Sequence, residues 1–207
     1  MENKHQPATE NLEIVEKQDR NARQREVLSY LHDLVYGLAV VLLVFMLFFR
    51  IVVVSGPSMM QTLKNGDCLL LVCNTFYGRP KQGDIVVASK STFKNGEPII
   101  KRVIATEGQE VNIDFVKGIV YVDGVALDEP YTNTPTNFFE GVQFPVIVEE
   151  GCVFVMGDNR NDSWDSRSQD IGMIDRRELL GRAIFIAFPG VNKDSGRREF
   201  NRIGALW

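Results

Sequence analysis

Histidine is almost missing from this chain. Its 207 residues include two, His5 and His32, both within the first 33 positions. A Ser-His-Asp triad is therefore excluded from everything that follows. Cysteine is scarce too: Cys68, Cys73 and Cys152 show no metal-ligand spacing, and an odd number leaves at least one unpaired within the chain. They read as small buried apolar residues, with a Cys68–Cys73 or Cys68–Cys152 disulfide left open. No metal or cofactor is implied. Excess positive charge is also lacking, and a net charge of −4 argues against a nucleic-acid partner. With 24% charged and 44% apolar residues, disorder is not expected beyond the N-terminal stretch. After residue 54 no second apolar run is long enough to cross a bilayer.

One such run is present. Leu34 to Phe49 carries no charge, Arg50 interrupts, and Ile51 to Val54 resume it. As a helix, residues 34–54 measure about 31 Å against a hydrocarbon core of ~30 Å, and Arg50 is placed to snorkel. A cleaved secretory signal normally has a shorter apolar region and a small-residue cleavage site, and a buried soluble helix a polar face. A membrane anchor fits better than either. Residues 1–33 read as a polar tail or a frayed solvated helix. Lys17, Arg20, Arg23 and Arg25 lie just before the span, so the positive-inside rule puts the N-terminus in the cytoplasm. The expected organisation is a cytoplasmic tail over 1–33, a transmembrane helix over 34–54 and an extracytoplasmic domain over 55–207.

From residue 55 on, the pattern shortens. Strand-length runs rich in branched residues occur at Cys68–Val72, Asp84–Ala88, Ile99–Ile104, Gly118–Val122, Cys152–Met156 and Ala183–Phe188, separated by Gly, Asn, Asp and Pro. Asp123-Gly124 is a hairpin signal. Only Asp175–Leu180 looks helical, and briefly. The expectation is a single, mainly antiparallel β domain.

Ser58 stands four residues beyond the apolar run, in Ser55-Gly56-Pro57-Ser58-Met59-Met60-Gln61-Thr62-Leu63. With histidine unavailable, a serine nucleophile needs another base, and lysine is the known substitute. A lysine base must be partly neutral, which burial among apolar groups favours. Lys101 fits, inside Ile99-Ile100-Lys101-Arg102-Val103-Ile104, because adjacent residues of a strand face opposite sides. With Arg102 turned outward to a salt bridge, Lys101 points inward. The bland alternatives are a turn hydroxyl at Ser58 and an edge strand whose two charges are both solvated. A third segment, Gly157 to Arg167, is a dense polar run directly after an apolar strand. It reads either as a loop bonded to itself through Asx turns or as a source of hydroxyls, Ser163 or Ser166, that orient a buried amine.

Taken together, Ser55–Leu63, Gly66-Asp67, Gly83–Val87, Lys101–Ile104 and Gly157–Arg167 resemble, in order, the conserved blocks of bacterial type I signal peptidases, the serine–lysine proteases that release exported proteins from the membrane. Arg202-Ile203-Gly204 is similar to the family's C-terminal ending. The resemblance implies a signal-peptidase-type antiparallel β fold, related to that of self-cleaving repressors. It implies Ser58 as nucleophile and Lys101 as general base, with Ser163 bonded to the lysine amine. Met59 packs beneath the site in this reading. Asp158, Arg160, Asp165 and Arg167 act as supports, with an ion pair between Asp158 and Arg102. Substrates are exported preproteins with small residues at the first and third positions before the cut, and the lipid bilayer is the other partner. The short insertion between Lys101 and Gly157 resembles compact Gram-positive forms.

Three positions depart from the family pattern. Gly56 stands where some members carry a serine that helps bind the oxyanion, so the task falls to the Ser58 N–H and Ser55; one lost donor costs ~2.7–4 kcal/mol. Gln61 replaces a usual proline, and Asn161-Asp162 inverts a common order. Two rival readings are a specialised processing peptidase with few substrates and an inactive, membrane-anchored preprotein-binding relative.

Overall fold

A computed structural model describes residues 6–91, 93–192 and 196–206, with side chains of the first helix from Arg23 onward. Residues 1–5 of the expected tail, His5 included, lie outside the described residues. The chain forms two compact units, residues 1–47 and 48–207.

Between Gln6 and Phe48 the sequence holds one proline, Pro7, tolerated in a first helical turn, and one glycine, Gly37. The whole stretch is one helix, α1 (Gln6–Phe48). The polar tail thus continues directly into the apolar run. Its Arg23–Phe48 section is long and apolar enough to cross a membrane, with a mean hydropathy of 2.2. The helix stops six residues before the expected end at Val54. Ile51-Val52-Val53-Val54 is a β-branched run, stiff at χ1 and suited to a pleated surface. Phe49–Val53 accordingly forms strand β1.

The second unit is built of two antiparallel sheets. After β1 come β2 (Cys68–Cys73), a short helix α2 (Asn74–Tyr77), β3 (Ile85–Ala88), β4 (Ile99–Thr106), β5 (Glu110–Asp114), β6 (Ile119–Val122) and β7 (Val125–Ala126). They are followed by β8 (Val146–Ile147), β9 (Cys152–Met156), β10 (Ile174–Asp175), β11 (Leu179–Phe188) and β12 (Gly204–Ala205). The larger sheet runs β1-β2-β11-β3-β4-β9-β10, with β12 beside β11; the smaller runs β7-β6-β5-β8. The Asp123-Gly124 turn joins β6 to β7 with both residues at positive φ (52° and 78°), as a tight hairpin requires. Arg176–Glu178 is one 3-10 turn capped by Asp175, so the expected helix shrinks to three residues and Leu179 opens β11 instead.

Apolar side chains collect in three clusters. One joins Val54, Met59 and Leu63 to Leu69, Leu71 and Ile100. A second lies around Val86, Val103 and Val155, and a third between Ile104, Phe154 and the β5–β6 hairpin. All three cysteines are free. Cys68 and Cys73 end the same extended strand, about 17 Å apart at ~3.4 Å per residue, far beyond disulfide reach. Only Cys73 is fully buried; Cys68 and Cys152 are half-buried, contrary to expectation.

Candidate active site

The loop after β1 is fixed from below. Met59 and Leu63, almost wholly buried, anchor it in the first core cluster, and the Leu63 N–H donates to the Met59 carbonyl. From the side, the Gly56 N–H donates to Asn65 Oδ1 (3.0 Å), at a glycine whose φ of +94° few other residues adopt. Asp67, fully buried, takes both nitrogens of Arg202 at 2.6 and 2.9 Å, tying the C-terminal Arg202-Ile203-Gly204 segment to the start of β2. With Met59 turned into the core, Ser58 is left half-buried and facing outward.

β4 lies inside the larger sheet, with β3 on one side and β9 on the other. Lys101 and Arg102 point to opposite faces, as the pleat demands. Both are buried, 5% and 2% exposed, which corrects the expectation that Arg102 turns outward. Lys101 Nζ donates to Ser58 Oγ at 2.7 Å. Arg102 forms a two-pronged ion pair with Asp158 (Nε–Oδ1 2.8 Å, Nη2–Oδ2 2.7 Å), and Thr62 Oγ1 donates to the same carboxylate. Tyr131 stacks on that guanidinium, 4.0 Å from its ring centre.

The polar run after β9 folds into one buried network. Asp165 receives Arg167 Nε and Nη2, each at 2.8 Å, together with the Gly157 N–H and the Ser163 hydroxyl. Burial alone penalises the Asp165 carboxylate, yet the bonds and charge of Arg167 outweigh it and hold the group below the usual carboxylate range. Arg160 pairs with Glu129 (2.5 and 2.7 Å) and donates to Thr136. Ser163 therefore spends its proton on Asp165. Its Oγ sits so close to Gly157 that a Cβ there would meet it at 2.2 Å, and the Ser58 carbonyl at 2.5 Å. That carbonyl accepts the Asn159 N–H. Only glycine at 157 lets the end of β9 approach the Ser58 loop this closely.

Residues 52–59, 97–101 and 161–164 line a cavity of about 640 Å³ that holds Ser58, Lys101 and Ser163 together, with the exposed Ser55 on its wall. Phe93, Phe138, Glu140 and Trp164 complete the lining. Of these, Glu140 stands out as a residue with no signal in the sequence, while Gly157, outside the lining, was legible only as the first residue of the polar run. Glu140 belongs to no strand or motif, and Gly157 matters for what it lacks. A hydroxyl in contact with a buried amine, beside a groove deep enough for a peptide, is an arrangement that can serve a covalent hydrolase. Among the described residues no cluster of side chains suits a metal ion.

Comparison with known proteins gives the family. The family described as signal peptidase, peptidase S26, matches residues 27–188. A probable signal peptidase I-1 from Synechocystis is 38% identical over 66% of this chain and 69% of its own. A signal peptidase I from Bacillus licheniformis is 30% identical over 81% of this chain and 91% of its own. A solved signal peptidase I from Enterococcus faecalis superposes with a TM-score of 0.42 at 28% identity, over 50% of this chain and 96% of that one. With the family model spanning most of its length, the chain belongs to the peptidase S26 family of signal peptidases, a family of hydrolases.

Proposed function

We propose that the protein is a membrane-anchored serine endopeptidase that cuts signal peptides from exported preproteins at the outer face of the cytoplasmic membrane. The observation that carries the mechanism is the 2.7 Å contact between Lys101 Nζ and Ser58 Oγ inside a peptide-sized cavity. Neutral Lys101 takes the hydroxyl proton as Ser58 Oγ attacks the scissile carbonyl carbon. The tetrahedral intermediate collapses, Lys101 returns the proton to the leaving amine, and the mature protein departs. A water molecule then attacks the acyl carbon as Lys101 takes its proton; Lys101 passes that proton to Ser58 Oγ as the ester bond breaks, freeing the signal peptide and restoring the neutral amine. The Ser58 N–H, with Ser55, is the donor set for the oxyanion. Ser163, Asp165 and Arg167 hold the wall against which Lys101 lies.

The substrate runs extended between residues 52–55 and 97–101, where β1 offers an open sheet edge. Helix α1 supplies the anchor, with its N-terminus in the cytoplasm by the basic residues before the span. The test incubates the detergent-solubilised chain with a preprotein carrying alanine at the first and third positions before the cut. Cleavage after alanine by the parent, and none by Ser58→Ala or Lys101→Ala, is the expected result. A folded parent that cleaves nothing overturns it. Cleavage of a single preprotein from an unrelated panel identifies a specialised processing peptidase instead.

A further inference from the structure

Glu140 sits on the wall of the catalytic cavity with one carboxylate oxygen partnered and the other not, and its carboxylate also accepts the Asp165 backbone N–H. Its Oε1 lies 3.1 Å from Arg167 Nη2, but that guanidinium is already held by Asp165. Its Oε2 is shut off from solvent and accepts no hydrogen bond among the described residues. The groups that act on it come from two elements: Asp165 and Arg167 from the loop after β9, and Lys101 from β4. Glu97 lines the same cavity. Burial, then the charge of Asp165, push Glu140 up to about 7, against the pull of Arg167 and Lys101. It is consequently neutral in mild acid and ionised in the alkaline range where a buried lysine gives up its proton.

The attraction between an ionised Glu140 and a protonated Lys101 is one energy shared by two groups. Whatever Lys101 does to favour the Glu140 carboxylate, that carboxylate does equally to favour the Lys101 ammonium. An ammonium cannot take the Ser58 proton. We propose that Glu140 is a positioning residue that sets the pH at which Lys101 works, its carboxylate holding Lys101 in the ammonium form until the medium becomes more alkaline. The proposal rests on the reading of Lys101 as the general base. Glu140 touches neither nucleophile nor leaving group in this scheme; it acts through the charge of Lys101.

The experiment records kcat/KM for preprotein cleavage against pH, using the full chain in detergent. The acid limb of that profile reports ionisation of the free enzyme. Glu140→Gln removes the charge and keeps the shape, so the limb moves to lower pH, and the activity ratio of pH 7 to pH 9 rises about threefold or more. Glu140→Asp keeps the charge and returns the ratio towards that of the parent. A uniform loss at every pH in Glu140→Gln would assign the residue a purely structural task through Arg167 and overturn the proposal. So would an unmoved limb, or equal ratios for the Asp and Gln variants. A Lys101→Ala variant that cleaves as well as the parent has a different meaning, because it removes the base assignment itself.

Discussion

Lys101 and Arg102 are consecutive cations in one strand, and the sheet sends them to opposite fates. Arg102 meets a carboxylate: Asp158 takes two of its nitrogens, with Tyr131 stacked on the guanidinium and Thr62 on the same acid. Lys101 meets the neutral hydroxyl of Ser58 at 2.7 Å. Both side chains are buried to almost the same degree, so burial does not separate them. The partner does. A carboxylate in contact compensates a buried cation and keeps it charged, whereas the role proposed for Lys101 asks for a cation that can give its proton up. The arginine face ties the Ser58 loop, through Thr62, to the loop after β9; the lysine face opens into the cavity. One face holds charge; the other is where the proposed mechanism moves it.

The largest effect comes from breaking the lysine face. Ser58→Ala and Lys101→Ala should each lower kcat by ~10³-fold or more, with folding intact, in a preprotein cleavage assay. Lys101→Arg should be almost as damaging, since a guanidinium does not give up its proton. Next comes Gly157→Ala. Its added Cβ would collide with Ser163 Oγ and the Ser58 carbonyl, and a shift of the nucleophile by even a few tenths of an ångström should cost roughly 10- to 100-fold in kcat. The arginine face should fail in another currency. Arg102→Met alone strands a buried Asp158 and should cost about 3–5 kcal/mol in denaturant unfolding, while the Arg102→Met/Asp158→Leu double variant should recover much of that. A double variant as unstable as the single one would deny that the pair acts as a unit.

The distinction between the two faces was half visible in the sequence. Adjacent cations inside Ile99–Ile104 announce two faces, and the scarcity of histidine makes lysine the candidate base. The pattern could not say that Arg102 is buried too, because it gains its cover from Asp158 after β9 and from Tyr131, both distant along the chain. Strands rich in branched residues were legible, as was the Asp123-Gly124 hairpin. The two-residue strands β7, β8, β10 and β12 were harder, since so short a run takes its conformation from its neighbours. Nor did hydropathy show where α1 gives way to β1. The apolar run is nearly continuous across Phe48, and the switch is written only in the change from Leu and Phe to Ile and Val. Glu140 left no trace, and Gly157 showed only as the start of a polar run, because their roles are positions in space: an acid beside an occupied arginine, and a missing Cβ between the Ser58 loop and Ser163.

A smaller effect sharpens a second comparison, between the two acids that share Arg167. Asp165 is held below the usual range, so its contribution to stability is complete above its unfolded value of ~3.9 and fades as pH falls through the folded one. Glu140 runs the other way. Raised to about 7, it is tolerated best while neutral, so stability present below its unfolded value of ~4.3 is lost as pH rises through 7. The parent's thermal midpoint should therefore fall on both sides, steeply below about pH 4 and gently between about pH 5 and 8. Glu140→Gln cannot ionise, so it should flatten the gentle limb, by roughly 1–3 °C at pH 8 relative to pH 5, and leave the acid limb in place. Differential scanning at closely spaced pH values separates the two. An unchanged gentle limb in Glu140→Gln would mean that Glu140 is as comfortable ionised as neutral, and the acid beside Lys101 would then carry no more strain than the one that grips Arg167.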